Sequence, residues 1–363
     1  MAFLCEAAAL AMYIILFIEI ASEGFQRAIG KPFGRIRRHE IRLYGYGINT
    51  YFLRQPLSAF YIDATGRRVF MGIIIGIFEE GMIYAILALG VYITYRILDF
   101  PDLTVDSSFP LGAAVSAILT VNGVHPVLTL FVALLSGAAA GLITGLIHVK
   151  LGVRDLISGI ITMTGLYSVN LRIAGKANLP FFNKDTLFDN ALVRSFPPFL
   201  QPVGKIIVVL LVLLAVKILL DLFLKTKAGY LLRAVGDNPG VVANLAKNGG
   251  FVKIEGLAVA NALVALAGAV MAQKNRVFEI SMGTGALVFG LAAVIIGVNL
   301  FKHLGFVKGT TAAIAGSILY KASVAAALSM GLVPQDLKLV TSALFLVILI
   351  GTNALKKKVK LHA

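Results

Sequence analysis

The chain is 363 residues long, 58% hydrophobic and only 14% charged, with a mean hydropathy of +0.89 and a formal net charge of +15. A soluble protein of this length needs more polar surface, and its continuous apolar runs, near the ~20 residues that span a bilayer, exclude an outer-membrane barrel of alternating strands. Cys5 is the single cysteine, which excludes an intrachain disulfide and a cysteine-based metal site; the basic residues lie between and beside apolar runs, a distribution that suits anionic lipid headgroups rather than nucleic acid.

Residues 1–70 stand apart from the rest. Ala7–Ala21 is apolar but short and carries Glu19, while Gly24–Phe70 holds nine basic residues with no helical period. Gly30-Lys31 resembles a phosphate loop only superficially, because Pro32 follows the lysine and the glycine spacing is wrong. No loop that hydrolyses nucleotides is expected in this chain.

From Met71 the pattern becomes regular and predicts an all-α, polytopic transmembrane bundle of about eight to ten spans, some of them broken or re-entrant. The predicted spans are Gly72–Tyr95, Ser107–Val121, Pro126–Val149, Leu156–Ala174, Lys205–Leu224, Phe251–Ala272, Ile280–Leu300, Phe306–Met330 and Leu337–Leu355. The basic segment Lys225–Lys253 and the basic tail 356–363 are four spans apart, so both can lie in the cytoplasm. Counting back then places Gly175–Gly204 and Met71 outside, which puts the basic residues of 1–70 on the wrong side. Either Ser107–Val121 is re-entrant, or synthesis starts at Met71; the second is the expectation.

Several polar features interrupt the apolar pattern. Glu79 and Glu80 fall inside the first regular span, where ionised carboxylates are costly and usually face a bundle interior or a water-filled path. Asp99, Asp102 and Asp106 lie in a segment ending at Pro110 that is too polar to face lipid and too proline-rich for one helix. Gly283 and Gly285 open a later span, leaving backbone N–H groups to meet a substrate or a neighbouring helix. Gly137, Gly141 and Gly145 form a small-residue ridge for close helix packing. Asn261 needs a partner across helices, and Lys217 and Asp221 are spaced to pair. No metalloprotease motif, nucleophile elbow or Cys/His cluster appears, so a membrane enzyme has no catalytic or metal site.

Residues 229–248 form a polar interlude that reads as two short helices meeting at a corner. Gly236 suits the left-handed position closing the first helix, Asp237 and Asn238 can cap the second, and Pro239 suits its first turn. Val242 and Leu245 share a face of that second helix.

The segments LLRAVGDNPGVVANLAKNGGFVKIEGLAVANALVALAGAVMAQ (residues 231–273), SMGTGALVFGLAAVIIG (281–297) and EEGMIYAILALGVYITYRILDFPDLTVDSSFPLGAAV (79–115) resemble permease subunits of ABC importers. The likeness is to the branched-chain amino acid and sugar permease superfamily, in its tryptophan or aromatic amino acid subgroup, over about residues 71–358. The resemblance implies that 229–248 is a pair of cytoplasmic coupling helices docking an ATPase through Gly229, Arg233, Gly236, Asp237, Asn238, Pro239, Val242 and Leu245. It further implies a substrate pathway past Glu79, Glu80, Asp99, Asp102, Asp106, Asn261, Gln273, Gly283 and Gly285. Its partners would be an ABC ATPase that binds ATP and magnesium, an external solute-binding protein, a second copy of the chain, and the lipids of a bacterial inner membrane. No cofactor on this chain and no nucleic acid is implied. The chain departs from the family at Ala246-Lys247, where a glycine and a hydrophobic residue are usual, and at Ser107, Lys274 and Val298, where glycine, an aromatic and an acidic residue are usual. An ion-coupled secondary transporter using Glu79 or Asp102 is the competing expectation.

Overall fold

The computed structural model describes residues 64–189, 193, 201–237, 249–302 and 307–329, with isolated positions 339, 342, 343, 345 and 346. The expectations for residues 1–63, for Leu337–Leu355 apart from those isolated positions, and for the tail 356–363 lie outside the described residues. The chain divides into two units, Met1–Phe70 and Met71–Ala363.

The described chain is helical, with one small sheet. Helix α1 (Ala64–Val91) continues as a π-helical turn over Tyr92–Ile97 and is followed by α2 (Val105–Val121), α3 (Pro126–Lys150) and α4 (Asp155–Ala174). Then come β1 (Asn178–Pro180), α5 (Gln201–Phe223), α6 (Lys227–Asp237), α7 (Gly249–Asn275), β2 (Val277–Glu279), α8 (Ala286–Leu300) and α9 (Gly309–Ser329). Six helical segments are long and apolar enough to cross a membrane, and α2 is a shorter apolar helix. The polytopic helical bundle expected from the sequence is what the chain forms.

Helix α7 is the axis of the bundle, with 83% of its apolar window buried against 28% for α4 and α5. The cause is side-chain size. The run from Ala258 to Ala269 holds six alanines and Gly268, so neighbouring backbones approach closely on the faces those small residues present. A Cβ on Gly137 would overlap the Asn261 carbonyl, one on Gly141 the Leu257 carbonyl, and one on Gly145 would lie 2.8 Å from Ile254 Cα. The predicted glycine ridge of α3 is therefore a packing surface, running antiparallel to α7. Gly112 and Gly268 serve the contact between α2 and α7 in the same way.

Successive contacts fix the course of α2. Ser108 meets Asn261 and Ser116 meets Gln273, so α2 runs parallel to α7 and finishes at the same end. It does not turn back, which removes the re-entrant alternative for Ser107–Val121. At that end β1 and β2 pair antiparallel, with Asn178 opposite Glu279 and Pro180 opposite Val277. No strand was expected from the sequence, because three-residue strands carry too little pattern to read. Two left-handed glycines shape this end. Gly175 (φ 72°) closes α4 with its N–H on the Leu171 carbonyl, and Gly285 (φ 85°) separates the 3-10 turn Ile280–Gly283 from α8. The predicted span Ile280–Leu300 is thus two pieces.

The opposite end gathers basic residues. His148 lies 3.5 Å from Lys253, and Asp221 accepts hydrogen bonds from Lys217 and Lys308 at 3.1 Å and from Thr310 at 2.7 Å. The predicted Lys217–Asp221 pair forms, and it also anchors the start of α9.

Candidate functional site

The segment Leu98–Thr104 interrupts the path from α1 to α2. Pro101 cannot continue a helix and constrains the residue before it, while Asp99 takes a left-handed φ of 50°. Asp102 is fully buried in this break. Its Oδ1 accepts the Thr104 N–H at 2.9 Å and its Oδ2 accepts from Asn261 Nδ2 at 2.7 Å. Asn261 Oδ1 in turn accepts from the Ser108 hydroxyl at 2.7 Å. The chain Asp102–Asn261–Ser108 therefore pins the break to the middle of α7, which is the cross-helix partner Asn261 needed. A Cβ on Gly159 would reach 2.9 Å from the Leu103 nitrogen, so α4 closes over the same break.

Asp106 caps α8. Its carboxylate accepts the N–H groups of Gly285 at 3.2 Å and Leu287 at 2.8 Å, the placement that the positive end of a helix favours. The Gly285 N–H, expected to meet a substrate or a neighbouring helix, meets Asp106 of α2. Pro110 has no N–H to offer the Asp106 carbonyl, and Gly283 packs against that carbonyl and the Pro110 ring, where a Cβ would overlap both. Asp99 is exposed.

Gln273 is also fully buried, and its amide is fully used. Its Oε1 accepts the Leu187 N–H at 2.8 Å, while Nε2 is shared among Thr129 Oγ1 (2.8 Å), Ser116 Oγ (3.1 Å) and the Pro126 carbonyl (3.1 Å). It ties α2, α3 and the loop after β1 to the end of α7.

Glu80 is the centre of a different arrangement. Its Oε1 lies 3.0 Å from Lys274 Nζ and its Oε2 lies 3.1 Å from Lys321 Nζ. The Lys321 ammonium also sits 4.1 Å from the centroid of the Tyr84 ring and 5.4 Å from that of Phe289. Tyr84 stacks on Phe109 at 5.8 Å and touches Phe289 at 4.4 Å, and Phe289 meets Tyr320 edge-on at 4.8 Å. Sequence reasoning marked Glu80 and noted Lys274 as a departure, but it passed over Lys321. A lone charge in the apolar run of α9 was the available signal. Glu79 is buried, and it makes no ion pair among the described residues.

Helix α6 is amphipathic. Gly229, Leu232 and Val235 are buried, and Tyr230, Arg233 and Asp237 are exposed. Gly236 does not take the left-handed conformation expected of it. The helix runs through it to Asp237, and a Cβ there would overlap the Ile97 carbonyl and lie 3.2 Å from Leu98 Cα. The glycine is there for contact with the break after α1, not for a positive φ. Gly229 packs likewise on Phe223 and Leu224, so both glycines seat the helix while Arg233 and Asp237 face outward. Asn238, Pro239, Val242 and Leu245 lie outside the described residues.

Residues 73–350 match the family described as the branched-chain amino acid transport system permease component. A relative from Clostridioides difficile (strain R20291), named tyrosine transport system permease protein, is 44% identical over 280 residues, covering 77% of this chain and 91% of the relative. An uncharacterized protein of Rickettsia prowazekii (strain Madrid E) is 34% identical over 297 residues, covering 79% of this chain and 99% of that protein. No solved structure matches.

Proposed function

The chain belongs to the branched-chain amino acid transport system permease family, a multi-pass family of the bacterial inner membrane, and on that premise we propose that it is the permease subunit of an ATP-binding cassette importer. The solute is an aromatic or branched-chain amino acid, with L-tyrosine the first to test. The observation that carries this reading is the 44% identity, over 77% of this chain and 91% of the relative, to a protein named for tyrosine transport. In this reading the chain is a transport component rather than an enzyme. ATP and magnesium act on a separate ATPase subunit, an external solute-binding protein delivers the amino acid, and two copies of this chain form the pathway.

The geometry of helix α6 supports a coupling role for the segment it belongs to. Helix α6 rests on Ile97 and Leu98, where the break begins, and the break is hydrogen-bonded to the middle of α7. A displacement of α6 by the ATPase would reach Asp102 and Asn261 through backbone in contact. ATP binding has to favour one arrangement of the break over the other for such coupling to work.

Reconstitution into proteoliposomes with a cognate ATPase and solute-binding protein tests the reading. Uptake of radiolabelled L-tyrosine should need ATP and no ion gradient. Uptake driven by a proton or sodium gradient without the ATPase would instead favour an ion-coupled carrier using Glu79 or Asp102. Leu245→Asp should insert normally and lose co-purification with the ATPase, whereas full retention would remove Leu245 from the docking surface.

A further inference from the structure

We propose that Glu80, Lys274 and Lys321 form a station for the charged head group of a zwitterionic amino acid inside the bundle, an inference that rests on the importer reading above. The three side chains come from α1, α7 and α9, and one carboxylate is held between two ammonium groups at 3.0 and 3.1 Å. An ordinary structural ion pair matches one charge with one. Here one positive charge is left unmatched among the described residues.

Exposure adds a second reason. The lysine side chains are 16% and 18% exposed, whereas Glu80 is 41% exposed although it lies within the first membrane span. A carboxylate that open is not facing hydrocarbon, so it faces water or a solute path. The rings of Tyr84 and Phe289 hold the Lys321 ammonium without taking its proton or cancelling its charge. The cluster therefore offers an anion two ammonium groups, and offers a cation one accessible carboxylate.

An α-amino acid carries that complementary pair on a single carbon. Its carboxylate would meet the Lys274 and Lys321 ammonium groups beside Glu80, and its ammonium would lie against the open side of Glu80. No covalent step is involved. A carboxylate or an amine alone satisfies only half of the station, and the side chain of the amino acid is left to other contacts.

Saturation-transfer-difference NMR on the purified permease–ATPase complex, without the binding protein, is the test, with L-tyrosine, tyramine and N-acetyl-L-tyrosine as probes. L-Tyrosine should give saturation transfer, and each probe lacking one charge should bind about tenfold more weakly, the loss expected for one charge-assisted hydrogen bond. Lys274→Gln and Lys321→Gln should reduce L-tyrosine binding to a similar degree while eluting as intact complexes, and Lys274→Arg should retain it. Equal binding of L-tyrosine and tyramine by the wild type overturns the proposal even if the variants fail to fold. Undiminished binding by intact Gln variants, or no binding of L-tyrosine by the wild type, does the same. Failure of the importer reading shows separately, as absence of ATP-dependent uptake by the wild-type proteoliposomes.

Discussion

Gly236→Ala separates the two explanations for a glycine at the end of α6. Judged by local propensity, the substitution is favourable, since alanine is about 1 kcal/mol better than glycine inside a helix. Judged by tertiary contact it is not. The added methyl group would overlap the Ile97 carbonyl and sit 3.2 Å from Leu98 Cα, and these are backbone atoms rather than the movable end of a side chain. Overpacking of this kind costs about 1–3 kcal/mol. Because the overlap is with backbone that cannot swing aside, the upper end of that range applies; the contact effect wins, and α6 should lift from the break by a net of about 2 kcal/mol, shifting its seated population about 30-fold. The membrane core is untouched, so the protein should insert and melt like the wild type. The reading that matters is solute imported per ATP hydrolysed in proteoliposomes, which should fall while ATP hydrolysis continues. Wild-type stoichiometry in Gly236→Ala would refute the claim that α6 acts through its seat on Ile97 and Leu98.

Three further outcomes follow from the packing and hydrogen bonds. Asn261→Ala removes a donor from the buried Asp102 and the acceptor of Ser108, and should cost about 2–3 kcal/mol; Asn261→Asp, which sets a second carboxylate beside Asp102, should cost more. Thermal melting followed by fluorescence-detected size-exclusion chromatography checks the order. Gly141→Ala should destabilise by about 1–3 kcal/mol through the Leu257 carbonyl, whereas Gly165→Ala, with nothing within 4 Å of its Cβ, should be neutral or stabilising by up to about 1 kcal/mol. Gln273→Leu breaks contacts to Leu187, Ser116, Pro126 and Thr129, and should cost about 1–3 kcal/mol, read as faster hydrogen exchange at Leu187.

Much of this protein is determined along the chain itself. Apolar runs of span length dictate a helical membrane bundle, because a backbone in hydrocarbon must satisfy its own hydrogen bonds. Glycines four apart, as at Gly137, Gly141 and Gly145, dictate a close-packing face, because the spacing puts them on one side of a helix. Pro101 dictates a break, because it has no N–H to give. These are local or periodic properties, so they survive in one dimension. Which side chains converge is decided only by the fold. Glu80, Lys274 and Lys321 meet because three separate helices bring them to one level, and nothing in their sequence separation encodes that. Gly236 shows the same limit from the other side. A glycine near a helix end suits a left-handed turn and a tight contact equally well, and only the carbonyl of Ile97 lying against it decides which one the chain uses.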